Sequence, residues 1–193
     1  MKPLLSICIP TIVGREKQYN ALRQYVEKQA EPFGSLIEII SICDNKEISI
    51  GTKRQRMYQR CRGKYAWQID DDDSIHENAV EMIMDALKSS PDCVGFKEWC
   101  VFEDRNETSS FSMHWSRWDD NVGCFDHVRT PFCKTPIRTE LCLKAGVKDM
   151  RYGEDHQFAK DVHKLLRTEV FIDEFIYIYR YKFEPHNTKY GIK

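Results

Sequence analysis

The sequence predicts an α/β fold, a mixed and mostly parallel sheet flanked by helices in a single compact domain. Two continuous apolar runs, LLSICIP (4–10) and IEIISICD (37–44), are separated by a polar stretch of helical spacing. Unbroken apolarity marks strands buried on both faces, as in parallel sheets. A third run, KYAWQI (64–69), follows a basic helical segment. Strand and helix in strict alternation is the order that builds a parallel sheet with crossover helices.

The first strand is expected over 4–10, with Pro10 as its stop, because proline lacks a ladder donor. Between Arg15 and Gln29, Tyr19, Leu22, Tyr25 and Val26 recur at helical intervals. The second strand ends in Asp44-Asn45. IGTKRQRMYQRCRGK (50–64) reads as a basic helix opened by Gly51 and closed by Gly63 at its C-terminal cap. HENAVEMIMDALK (76–88) is amphipathic, and CVGFKEWCVFE (93–103) reads as a strand. The polar stretch to Ser112 suits a turn or loop, and the Trp- and Asp-rich segment 113–126 suits antiparallel strands. TELCLKAGV (139–147) and a segment from Glu154 through FAKDVHKLL are helical. TEVFIDEFIYIYRYKF (168–183) is β-branched and aromatic, one or two strands, before a polar tail.

Composition narrows the function classes. A net charge of -1 over 193 residues gives no global basic field for nucleic acid. The apolar start is interrupted by Pro3 and Pro10 and is too short to span a bilayer or to precede a cleavage site, so the expectation is a cytoplasmic protein. The eight cysteines occur singly, with no CxxC pair, which favours reduced thiols. Cys8 and Cys43 lie in strand-like runs, where a thiol acts as a small hydrophobe.

Ligands in open α/β sheets bind beyond the carboxyl ends of the strands. Pro10-Thr11, Asp44-Asn45 and the quartet Asp70 to Asp73 all fall at such ends. The quartet suits a DxD site, in which alternate carboxylates take a divalent cation and a ribose hydroxyl; hard cations prefer oxygen ligands and complete their shell from phosphate. An EF-hand reading fails because Ile75 stands where the sharp turn needs glycine. Lys53 and Arg54 lie in the first turn of the basic helix, where the amide groups already favour anions. In RYGEDHQFAKDV (151–162), Glu154 and Asp155 open a helix after Gly153. Either they cap it, or one is a general base for an acceptor hydroxyl.

Together, SICIPTIVGR, IISICDN, IGTKRQ, GKYAWQIDDDD, TPIRTELCLKAGV and YGEDHQF resemble, in this order, the GT-A-fold glycosyltransferases, in particular the large inverting family that uses nucleotide-diphosphate sugars (family 2). The resemblance implies a Rossmann-like nucleotide-binding half at 1–75 and an acceptor-binding half with a C-terminal tail at 76–193. It implies that Pro10, Thr11 and Arg15 line a nucleobase pocket, that Asp44 accepts a hydrogen bond from uracil, and that Lys53 and Arg54 face the nucleotide. Asp70 and Asp71 would then contact ribose or sugar and Asp72 the metal, Mn²⁺ or Mg²⁺, with Asp71 and Asp73 an equally spaced alternative pair. His186 resembles a C-terminal histidine that reaches back to the metal or diphosphate. Asp155 matches the catalytic base and Glu154 its acceptor-side neighbour. Lys134-Thr135 precede Pro136 where the family pattern often has an asparagine. The implied reaction is metal-dependent, inverting transfer from a UDP-sugar to a hydroxyl of a glycan, a protein or a hydroxymethylated DNA base. A nucleotidyltransferase and a non-catalytic nucleotide-sugar-binding module are the rivals.

Overall fold

The computed structural model of the chain describes residues 2–181. Ten strands form one mixed sheet, beginning β2-β1-β3, with β1 at Leu5–Ile12, β2 at Ile37–Asp44 and β3 at Tyr65–Gln68. These three run parallel. Every residue from Leu5 to Thr11 is buried, which requires cover on both faces of the sheet. The helices supply it in two groups, α1 (Glu16–Ala30) with α3 (Ala79–Ala86), and α2 (Ile50–Arg60) with α4 (Thr139–Ala145) and α5 (Glu154–His163). Helix α1 buries Leu22, Val26 and Ala30, one stripe at intervals of four, and turns Tyr25 outward.

Beyond β3 the sheet becomes mixed. A two-residue strand β9 (Ile137–Arg138) lies antiparallel between β3 and β5 (Cys93–Val101). Strand β6 (Asn106–Phe111) returns antiparallel along β5, followed by the β7 (Asp119–Val122) and β8 (Phe125–Arg129) hairpin. Strand β10 (Glu169–Arg180) is a single bulged strand that runs parallel to β5 and also pairs with β4 (Ser74–Ile75), just past the aspartates.

Several expectations are corrected. Pro10 does not end β1, which continues to Ile12 against β2. The last β1–β3 pair is Cys8 with Gln68, so the missing N–H of Pro10 falls where no neighbouring strand needs it. The stretch expected as a loop before Ser112 contains β6, whose polar sequence is held by its partner β5. Helix α2 ends at Arg60, short of Gly63. Gly63 instead passes close to β1, where a Cβ would come within 2.6 Å of the Ser6 amide nitrogen. Cys43 is exposed because β2 is an edge strand, whereas Cys8 is buried as expected.

Candidate active site

The parallel strands end together, and the residues at their ends are joined by short polar contacts. Thr11 Oγ1 donates to Asp71 Oδ2 at 2.6 Å, and Arg15 bridges Asp71 and Asp72 at 2.8 and 2.9 Å. Helix α2 is started by Ser49, whose hydroxyl accepts from the Thr52 amide at 3.0 Å. Its first turn therefore points Lys53 and Arg54 back at the sheet. Lys53 is ion-paired to Asp44 and donates to the Thr11 carbonyl at 2.6 Å. Arg54 donates to Gln68 Oε1 at 2.9 Å and Asp70 Oδ2 at 3.2 Å, and its Nε lies 3.4 Å from Glu154.

The four aspartates have two different environments in alternation. The side chains of Asp70 and Asp72 are 23% and 27% exposed, those of Asp71 and Asp73 3% and 1%. Both Asp71 oxygens take protein donors, from Thr11 and Arg15. Asp73 accepts from Tyr177 Oη at 2.8 Å and the Arg180 amide at 3.0 Å, and Lys134 Nζ lies 3.1 Å away. Asp71 and Asp73 thus hold the turn together, while Asp70 and Asp72 face outward. The carboxylates that sequence spacing left in two registers are separated by burial.

Burial opposes charge on Asp70, yet Arg54, Lys134 and Arg15 outweigh it and hold its pKa below the ordinary value. For Asp72 the balance is reversed: desolvation, reinforced by Asp70 and Asp71, raises its pKa against the pull of Arg15. The Asp44 carboxyl also meets a burial penalty, but Lys53 and the Ile48 amide bring it below its ordinary value.

Three cavities adjoin along this edge and share lining residues. One of ≈ 320 Å³ is lined by Asp44, Lys46, Ile48, Arg151 and Tyr152, and one of ≈ 210 Å³ by Pro10, Thr11 and Asp70 to Asp72; Ile12, Arg15, Ile50 and Lys53 belong to both. Arg54 and Asp70 join the second to a chamber of ≈ 310 Å³ that holds Asp155, Glu98, Lys134, Trp118 and Tyr179. Gly153, at φ +76°, turns the chain into α5. The two acidic residues that follow diverge: Glu154 is buried against Arg54, and Asp155 lines the chamber. Burial raises the Glu154 pKa despite Arg54.

Among the described residues, no three His, Cys, Asp or Glu side chains converge as metal ligands. The donor set does fit a hard cation of the kind that takes one or two carboxylates and draws its remaining oxygens from a diphosphate. Asp72, partly exposed and hydrogen-bonded at one oxygen by Arg15, would be one such carboxylate. His186, expected as a second ligand, lies outside the described residues. Lys134, Glu98, Gln68 and Tyr177 were not anticipated as site residues. The departure at Lys134-Thr135 from the expected pattern was the one signal among them.

No protein-family model matches the chain, and no curated protein matches it in sequence. Its architecture is a GT-A-like α/β fold, shared with solved structures. The crystal structure of S. aureus TarS 1-349 superposes with a TM-score of 0.66 at 15% identity, over 93% of this chain and 60% of that one. The TarS 1-349 complex with UDP-GlcNAc gives 0.67 at 13% identity, over 97% and 61%, and the complex with UDP gives 0.66 at 15%, over 94% and 61%. At these identities the likeness is one of fold. The chain spans about 60% of the length of the TarS 1-349 structures it matches. No helix among the described residues is long and apolar enough to cross a membrane.

Proposed function

We propose that the chain is a glycosyltransferase of the inverting, family 2-like kind, moving a sugar from a UDP-sugar to an acceptor hydroxyl. The observation that carries this reading is the row of three adjoining cavities from Asp44, past the outward pair Asp70 and Asp72, to Asp155. Its dimensions and polarity suit, in sequence, a nucleoside, a diphosphate and a sugar meeting its acceptor. The similar structures of TarS with UDP and UDP-GlcNAc support the donor class.

In this reading Asp44, Pro10, Thr11 and Arg15 surround the uridine end, where Lys53 orients Asp44, and Arg54 orients Asp70, which faces the diphosphate. Asp72, with His186 as the resemblance implies, would hold Mn²⁺ or Mg²⁺, which would supply neutralisation of the departing diphosphate. Asp155 takes the proton of the acceptor hydroxyl as its oxygen bonds to the anomeric carbon. The bond from that carbon to the diphosphate oxygen breaks on the opposite face, and its electron pair leaves with UDP. Glu154 acts through Arg54, as a positioning residue.

Calorimetry of the purified protein with UDP, with and without Mn²⁺, tests the donor side. Metal-dependent binding that Asp72→Ala abolishes is expected, and absence of UDP binding under every metal would overturn the reading. Asp155→Asn separates catalysis from simple binding: turnover should fall while UDP binding persists. Consumption of nucleoside triphosphates with pyrophosphate release would point to nucleotidyl transfer instead.

A further inference from the structure

The chamber that holds Asp155 contains another carboxylate for which the transfer chemistry has no use. Glu98, on β5, is 4% exposed and lines the same space as Asp70 and Asp155. Its support from the protein is thin. Lys134 Nζ lies 3.4 Å from one oxygen and the Cys100 thiol 3.4 Å from the other. An ionised carboxylate can accept about four hydrogen bonds, and burying one with so few donors is unfavourable. Desolvation accordingly raises the Glu98 pKa, against the pull of Lys134 and with the push of Asp73.

The walls around Glu98 combine aromatic rings with Arg54, His127 and Arg129. Tyr179 packs its ring 4.1 Å from Lys134 Nζ, Phe111 meets Phe132 edge to face at 5.1 Å, and Trp118 closes on Phe132 at 5.2 Å. A pyranose matches such a chamber, because its C–H faces are apolar and its rim carries hydroxyl donors. Lys134 is already held by Asp73 and Glu98, Arg54 by Asp70 and Glu154, and Arg129 by Asp120, so the chamber offers little free positive charge to a second anion.

We infer that Glu98 is the residue that selects the donor sugar, accepting hydrogen bonds from rim hydroxyls of a neutral hexose suspended from the diphosphate beside Asp70. The substrate class is a UDP-hexose with free hydroxyls on that edge. A sugar carrying its own carboxylate would bring two negative charges together in a buried space, and is disfavoured. This assignment rests on the glycosyl-transfer reading and adds a specificity determinant to it.

The test is calorimetry with Mn²⁺ of wild type, Glu98→Gln and Glu98→Asp against UDP, UDP-glucose, UDP-galactose, UDP-GlcNAc and UDP-glucuronate. In wild type at least one neutral UDP-hexose should bind about tenfold or more tighter than UDP, because a site built around a substrate hydroxyl gains strongly from it. Glu98→Gln should remove about tenfold of that ratio, leave UDP affinity within about twofold and narrow discrimination against UDP-glucuronate. Glu98→Asp keeps the charge one methylene further back and should fall between the two. Equal sugar-to-UDP ratios in wild type and Glu98→Gln would overturn the assignment. Wild type that binds UDP but gains nothing from any hexose would overturn it while leaving the donor reading intact. Wild type that binds no UDP would remove both. An unchanged melting temperature in Glu98→Gln excludes a folding defect as the source of the loss.

Discussion

Replacing Arg54 with methionine should both destabilise the protein and make its stability respond to pH in the opposite way from a simple surface change. Arg54 is 6% exposed and is shared among Gln68, Asp70 and Glu154. Methionine preserves much of the packing of the arginine stem, so the loss comes from the charges. Removing one partner of a buried ion pair costs about 3–5 kcal/mol, because the other charge is left uncompensated. At about 2–4 °C per kcal/mol for a domain of this size, the melting temperature should fall by about 6–20 °C.

The sign with pH follows from the two carboxylates that remain. In wild type Asp70 has a depressed pKa, so its contribution is present above the unfolded value and is lost as pH falls through the depressed one. Without Arg54 the largest of the pulls that depress Asp70 goes, leaving Lys134 and Arg15 against burial, so its pKa rises, and Glu154, already raised by burial, rises further. Both groups then take up protons on folding in mild acid, so the deficit of Arg54→Met should shrink between pH 8 and pH 5. Melting curves by circular dichroism across that range decide it. A deficit under about 2 °C at pH 8, or one that grows on acidification, would refute the charge-compensation argument.

Other changes probe separate parts of the site. Asp155→Asn should lower turnover by about 10²–10⁴ with UDP affinity unchanged, as expected for loss of a general base, measured by UDP release and calorimetry. Asp72→Asn should weaken UDP binding in Mn²⁺ and leave the metal-free affinity unaltered. Tyr177→Phe removes the donor to Asp73 and the acceptor of the Asp70 amide, and should cost about 1–3 kcal/mol in urea unfolding. Gly63→Ala should destabilise through the Cβ clash with Ser6, where backbone atoms leave little room to yield, read as a lower urea midpoint.

The parallel part of the sheet was legible because β1, β2 and β3 are apolar along their length, and burial on both faces leaves that mark. Lys53 and Arg54 could be placed because helical spacing and a glycine fixed which turn they occupy. Strand β6 could not, since Asn106 to Ser110 are polar and the segment becomes a strand through its partner β5. Two residues, Ile137 and Arg138, are too few for any period to register. The alternation of exposure along Asp70 to Asp73 depends on donors from Thr11, Arg15, Lys134 and Tyr177, brought together by tertiary structure from distant segments. Lys134 and Glu98 were hidden for a related reason: a buried charge looks like any surface charge until its neighbours are known.

The link from Tyr177 to Asp73 spans 104 positions along the chain. During synthesis the turn that carries Asp70 to Asp73 emerges after its partners Thr11, Arg15 and Arg54, while the strand that donates to Asp73 through Tyr177 and Arg180 is still unmade. A nascent chain paused before Ile176 therefore leaves the buried Asp73 without two of its donors, although its charge partner Lys134 has already been made. Delivery of β10 supplies the Tyr177 hydroxyl and the Arg180 amide at one stroke, so Asp73 is the last of the four to gain its full set of donors.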